Sequence, residues 1–456
     1  MTQILPLMET PRRDESAPWS RARADHAARL PHGRKIVALR WVMALSLLAF
    51  GASGARVAVA QTNEPLVQRE NLVYLGAFRV PQGLRQPGTF SYGGTALALN
   101  PAHHSLYVVG HAWYQRTAEI SIPAIVHSQV IGQLQTATLL QPFVDALEGR
   151  LAEINPTDPN TKRIGGELVY DGKLFLTAYS YYDGNVTQSS SHFVRPLDLA
   201  TTGQLRGPIR VGNIYPGYVA GYMTVIPAEW QAAFGGPALT GNCCVPGGSW
   251  QSQGPAASVF DPTAVESMNP VPATPVLGYP LPHVLGPGAA STNPIYNMTA
   301  RVTGVVFPPG TRSVLFFGRA GVGPYCYGRG TADSSLVHPQ ADPHDPWCFD
   351  PADSSKGTHS YPYVYQVWAY DANDLIAVKN GSMVRYAVRP YTIWTFTLPF
   401  ENASDKHLIG GTAFDPATND IYISQECEDA DCTPIIHVLH YVAGGVPSPP
   451  SSVQVH

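Results

Sequence analysis

The chain has 456 residues, 14% of them charged, and its 29 basic against 33 acidic side chains leave a formal net charge of −4. Such a length allows a large core, the low charge fraction suits an all-β protein better than a helical bundle, and no dense Lys/Arg stripe speaks for nucleic acid as a partner. Glycine and proline, 42 of each, are scattered between short apolar runs, which is the spacing of many turns rather than of a structureless tract.

From the N-terminus, residues 1–41 are polar and Arg-rich and lead into an apolar stretch at 41–50 that is too short to span a bilayer as a helix. Small residues and Ala58-Val59-Ala60 follow, so residues 1–60 read as a leader with a secretory signal peptide and an A-x-A cleavage pattern. A start at Met43 would lack a basic region, so the start lies upstream of Arg34. Arg12-Arg13 stands too far from the apolar stretch for a twin-arginine signal. The competing reading is an uncleaved amphipathic anchor. The expected address is periplasmic or secreted, with no membrane span after cleavage.

The next segment, 71–80, is an isolated strand pattern. After it a short phrase returns five times: a small residue and a glycine opening a β-prone run. The phrases are Gly93-Gly94-Thr95, Gly165-Gly166-Glu167, Ala220-Gly221-Tyr222, Thr303-Gly304-Val305 and Gly410-Gly411-Thr412. Four of the runs meet a turn and a second run, through Asn100-Pro101, Asp171-Gly172, Pro308-Pro309-Gly310 and Asp415-Pro416. Repeated hairpins of this kind are the sequence form of a β-propeller, predicted over residues 71–442.

Blade one is expected at 94–100, 106–111, 118–122 and 137–143, and blade two at 165 onward, 174–180, 192–197 and 207–211. Blade three begins at Ala220 and carries a helical turn over 229–234. Blade four begins at Thr303, with outer strands at 363–370 and 391–398. Blade five begins at Gly410 and has its third strand at 435–441. That blade lacks a fourth strand, and the isolated strand at 71–80 supplies it, closing the ring and removing an exposed edge. Five blades is the count; the doubled interval between Gly304 and Gly410 leaves room for six or seven. A long irregular loop at 320–362 is expected to be functional, and the tail at 443–456 flexible.

Export makes the six cysteines readable as oxidised. Cys427 with Cys432 and Cys326 with Cys348 form local pairs, leaving the adjacent Cys243 and Cys244 as a vicinal disulfide or as partners of another loop. Zinc is the competing account, without a C-x-x-C spacing to support it. Asp342-Pro343-His344-Asp345, among His338, Asp350, Asp353 and His359 in the loop, leaves a divalent ion open as the one cofactor; the Asp350-x-x-Asp353 pair is not a calcium-loop pattern. No Gly-x-Ser-x-Gly, His-Glu-x-x-His or phosphate-cradling loop is present.

In a hairpin the start of the first strand and the end of the second share an edge. The second-strand ends carry His111 and Trp113, Tyr179, Tyr181 and Tyr182, Cys243 and Cys244, Arg319, then Gln425 and Glu426, so one face collects them around a central mouth with Glu167 on an inner strand. Each has a plainer reading. Glu167 could tie blades together, His111 could be a satisfied blade-edge histidine, Arg319 could pair with Glu426, and the tyrosines could be packing residues.

On this hairpin repeat and mouth composition, the chain resembles propeller-type carbohydrate-active enzymes, at the level of architecture. A polysaccharide-lyase likeness implies Arg319 as neutraliser of a uronate carboxylate, His111 as base and Tyr179 or Tyr181 as acid; this reading is preferred because it uses residue types the face offers. A five-bladed glycosidase likeness implies Glu167 and Glu426 as the carboxylate pair, although the other inner strands carry Thr, Tyr or Val. The alternative from another class is a non-catalytic propeller that binds a partner protein, or a carbohydrate or other small extracytoplasmic ligand with Trp113, Tyr182 and Gln425 as contacts.

Overall fold

The computed structural model describes residues 63–242, 251–337, 346–400, 406–427 and 431–444. The leader, Cys243, Cys244, His338, the Asp342–Asp345 run and most of the C-terminal tail lie outside these residues. No helix among the described residues is long and apolar enough to cross a membrane.

The protein is all-β. Five four-stranded antiparallel sheets succeed one another along the chain. The first holds Leu97–Asn100, Ser105–Val109, Thr117–Ser121 and Leu139–Val144. The second holds Lys162–Tyr170, Lys173–Ser180, His192–Pro196 and Arg206–Ile209. The third holds Met223–Val225, Ala238–Thr240, Ala257–Phe260 and Ala273–Leu277, with the expected helix at Ala228–Phe234 in its first connection. The fourth holds Arg301–Val306, Ser313–Gly321, Tyr363–Asp371 and Thr392–Phe396. The fifth is built from both ends of the domain: Ile409–Asp415, Asp420–Gln425 and Ile435–Tyr441 are completed by Leu72–Arg79. That strand runs antiparallel to Ile435–Tyr441 from the pair Leu72 and Tyr441 to the pair Arg79 and Ile435.

The apolar alternation of each sheet is spent on its neighbours. One core lies between the first and second sheets (Ala98, Tyr107, Leu174, Leu176) and one between the second and third (Phe175, Val194, Met223, Phe260). Others lie between the third and fourth (Leu239, Val259, Phe316, Trp368) and the fourth and fifth (Leu315, Phe317, Ile421, Ile423). The last joins the fifth to the first (Tyr422, Ile436, Leu97, Leu106). The first strands follow the same order: that of the first sheet touches those of the second and fifth, the second touches the third, the third the fourth, and the fourth the fifth. Strands with neighbours on both faces are buried along their length, and Ser313–Gly321 is buried throughout, with the apolar run 314–317 at its centre.

The repeated glycines allow this approach. A Cβ on Gly165 would overlap the Ala220 carbonyl oxygen, and one on Gly410 would overlap that of Gly94. Ala220 and Gly94 lie just before the first strand of the adjoining sheet, so the phrase is a backbone-to-backbone contact between sheets.

Two parts of the fourth sheet differ from the sequence expectation. The segment expected as an irregular loop contains a small sheet of Cys326–Thr331, Trp347–Phe349 and Lys356–His359, pinned by the Cys326–Cys348 disulfide. Its Gly, Pro and Asp content reads as turn, yet Gly328 and Gly330 alternate inward while Tyr327 and Arg329 face out. A second helix, Ala372–Lys379, is started by Asp371, whose carboxylate accepts from the Asn373 N–H.

Candidate functional site

The hairpins deliver a cluster of cations to one end of the first strands. Arg301 opens the first strand of the fourth sheet and stands directly across from Arg319, which closes the second. Arg163 holds the equivalent place in the second sheet, across from Tyr179. With Lys406, Tyr92, Asp353 and Glu426 these arginines line a cavity of about 420 Å³. A smaller recess of about 40 Å³ adjoins it and adds Tyr179, Tyr181 and Thr303.

Arg319 is the buried member. Its guanidinium lies 4.2 Å above the Tyr363 ring, and Nη1 donates to the Lys406 carbonyl at 2.7 Å, while Nε has no partner. Tyr363 donates to Asp350 at 2.6 Å, and Asp350 also pairs with His359 Nδ1 at 2.7 Å, so the insertion props the ring beneath Arg319. Burial, then the neighbouring Arg301, brings the Arg319 pKa down to about 10, which still leaves it a cation at neutral pH. Arg163 lies 5.0 Å from the Tyr181 ring centre, and its Nε is likewise unpartnered.

Glu426 faces all three arginines. Burial raises its pKa, against the opposing pull of Arg301, Arg319 and Arg163. The expected Arg319–Glu426 pair is absent: among the described residues no ion pair within 4 Å engages Glu426. Tyr179 is pushed up to about 12 by burial, opposed by Arg163 and Arg301, so it keeps its proton. Cys427, next to Glu426, is tied to Cys432.

Other predicted residues stand elsewhere. His111 is buried and lines neither cavity; its Nδ1 accepts the Trp113 N–H at 3.1 Å, its ring packs against Tyr92 and Tyr114, and burial lowers its pKa. Trp113 and Tyr182 are exposed by 72% and 65% and line neither cavity. Gln425 is fully buried rather than on the rim: Nε2 donates to Tyr365 at 2.9 Å and Oε1 faces His437 Nε2 at 2.6 Å. Gln425, next to Glu426 in the chain, points the other way, into the core.

Glu167 also departs from the mouth. It lines a separate cavity at the opposite, turn end of the first strands. Oε1 accepts from Thr117 of the first sheet at 2.7 Å, and Oε2 has no partner. With one hydrogen bond, burial wins and its pKa rises to about 8. The contrast is Glu119, equally buried, which accepts from Asn100, Ser105 and Gln141 and is held below the ordinary carboxylate value although burial works against it. No described cavity is lined by both Glu167 and Glu426, so they do not form an acid pair across one site.

Sequence reasoning missed Arg163, Arg301, Lys406, Tyr92 and a lining role for Asp353. A signal existed for two of them: Arg163 stands two residues before Gly165, and Arg301 two before the Thr303-Gly304 phrase, at matching points of the repeat. Among the described residues no group of three His, Cys, Asp or Glu side chains could hold a metal ion.

No protein-family model matches the chain, and neither does any curated protein. Among solved structures, it aligns with a glycoside hydrolase of the GH130 mannoside-phosphorylase family that targets β-1,2 mannosidic linkages in Candida mannan. The identity is 11% over 85% of this chain and 99% of the other, with a TM-score of 0.42. A glycosyl hydrolase from Bacteroides ovatus aligns at 11% identity over 82% and 92%, with a TM-score of 0.38. A luciferin-regenerating enzyme aligns at 8% identity over 79% and 94%, with a TM-score of 0.31. At these scores the likeness fixes neither the packing of the sheets nor the chemistry of the site.

Proposed function

We propose that this chain is an exported five-bladed propeller whose arginine-lined mouth binds the carboxylate of an acidic carbohydrate. The cyclic order of sheet contacts and the N-terminal strand in the fifth sheet support the ring, and two disulfides support an oxidising compartment.

The observation that carries the ligand class is the Arg301–Arg319 pair. Like charges directly opposite on neighbouring strands destabilise a sheet, and here a third arginine joins them at one cavity. The cavity counts four cations (Arg163, Arg301, Arg319, Lys406) against two carboxyls (Asp353, Glu426), an excess of two that an anion would offset. Planar guanidinium groups match a carboxylate with paired hydrogen bonds, and the exposed ring of Tyr92, which lines the cavity, offers a face for sugar stacking.

A second reading, β-elimination from a uronate, is favoured by the neighbourhood of Glu426 and Tyr179 in the recess. Arg319 neutralises the carboxylate, Glu426 takes the C5 proton, and the freed electron pair forms the C4–C5 double bond as the C4–O bond breaks. Tyr179 gives its proton to the departing oxygen. Proton return from Glu426 to Tyr179 restores both groups.

The test is calorimetric titration with alginate, pectin, ulvan and glucuronan oligosaccharides, alongside the absorbance of unsaturated product. Binding that disappears in Arg319→Gln without turnover supports the binding reading, and growing absorbance supports elimination. Failure of every uronate to bind would defeat both.

A further inference from the structure

The turn-end cavity is a second built site, about 180 Å³ in volume and separate from the arginine mouth. Each of the five first strands sends one side chain to a common ring: Leu97, Glu167, Met223, Val305 and Thr412. The residue two further along each strand lines the same cavity, as strand periodicity requires, and all five of these are apolar. Four of the turns that follow carry a proline at the rim, Pro101, Pro227, Pro309 and Pro416, which fixes the backbone there before anything binds.

Within this apolar ring Glu167 is 3% exposed and Thr412 7% exposed, and both keep an unpartnered oxygen, Oε2 and Oγ1. Buried polar groups without partners are rare and mark strain, an unfilled site or function. A cavity of roughly 150 Å³ lined by aliphatic side chains takes up benzene. This one is slightly larger and has two hydrogen-bonding groups in its wall.

We propose that the turn-end cavity binds a small uncharged molecule with an apolar ring and one hydroxyl, the ring among Leu97, Met223 and Val305 and the hydroxyl on Glu167. A carboxyl that burial keeps protonated can donate as well as accept, which suits an alcohol or phenol and disfavours an anion. The site is independent of the arginine mouth, and neither reading needs the other.

Phenol is the probe, with toluene as its counterpart lacking the hydroxyl. The full-length protein carrying methyl-labelled methionine is titrated with each, and the Met223 methyl resonance, assigned through Met223→Leu, is followed. The expected result is a saturating shift with a Kd of about 1 mM or tighter for phenol, and binding of toluene at least fivefold weaker. Val305→Trp fills the cavity and is expected to abolish the shift; Ala413→Leu serves if that variant does not fold. In Thr117→Val/Glu167→Leu, which removes both partners of the buried hydrogen bond together, phenol and toluene are expected to bind alike. No Met223 shift up to 10-fold above that concentration, or a shift that survives cavity filling, overturns the proposal. Equal binding of phenol and toluene to the unaltered protein overturns the role of Glu167.

Discussion

The two ends of the first strands are built from the same five segments and have opposite chemistry. At the start end, Arg163, Arg301 and Arg319 line one cavity with Lys406 and two carboxyls, Asp353 and Glu426. At the turn end, one carboxyl, Glu167, sits in an apolar ring without a cation. Both glutamates have raised pKa values through burial, but only Glu426 has arginines pulling against that rise. A carboxyl's protonation here depends on which end of a strand it occupies.

The sharpest way to break this comparison is Arg319→Gln. Removing the buried guanidinium should weaken uronate binding by about 100-fold, as truncating a buried charge partner costs about 2–5 kcal/mol. Calorimetry reads the loss, and phenol binding at the turn end should stay unchanged. Unaltered uronate affinity would remove Arg319 from the site.

Glu167→Gln tests the turn end through stability. The folded pKa of about 8 lies above the ordinary glutamate value, so folding takes up a proton. That contribution is full below about pH 4.5 and is lost as pH rises toward 8. Glutamine keeps the acceptor for Thr117 and has no proton to lose. Its stability relative to the unaltered protein should therefore rise with pH across that window, by about 3–4 kcal/mol. Denaturant titrations at pH 5 and pH 8 measure it; parallel curves would mean that Glu167 is ionised in the folded protein.

Gln425→Ala separates core from site on the start side. It removes the acceptor facing His437 Nε2 and the donor to the Tyr365 hydroxyl and should cost about 2 kcal/mol of stability. Uronate affinity, compared by calorimetry, should hold; a selective loss of affinity would return Gln425 to the rim.

Glu426→Gln gives the smallest change. As pH falls through its raised pKa, Glu426 loses its charge and the mouth becomes more cationic, so uronate affinity should increase toward acid pH. The amide should raise affinity about threefold at neutral pH and flatten that dependence, as expected of one repulsive charge near solvent. Titrations at two pH values check both, and a steeper dependence in the variant would contradict the assignment.

Much of this comparison was legible as a pattern. The glycine phrases marked the first strands because close approach of neighbouring sheets leaves no room for a Cβ. The hairpin argument brought Tyr179, Tyr181, Arg319 and Glu426 to one place, since strand ends follow from strand order alone. It failed for His111, whose ring packs against Tyr92 and Tyr114 beside its own sheet, and for Gln425 and Glu167, whose side chains reach Tyr365 and Thr117 of a neighbouring sheet. The helix at Ala372–Lys379 and the inserted sheet escaped because both are made of short elements, and those of the sheet lie in a segment rich in Gly, Pro and Asp that reads as turns.

The sequence by itself determined the all-β class, four of the hairpins, the pairing of Cys326 with Cys348 and of Cys427 with Cys432, and the strand kept at the front of the domain for its last sheet. These depend on periodicity, turn chemistry and local spacing, which a linear chain displays. Only the tertiary structure decided that Arg301 faces Arg319, that Glu167 and Glu426 serve different cavities, and that Gln425 belongs to the core. Those outcomes depend on the facing of each side chain and on what the adjacent sheet places against it. A one-residue change of register reverses the first, and the second comes from segments hundreds of positions away.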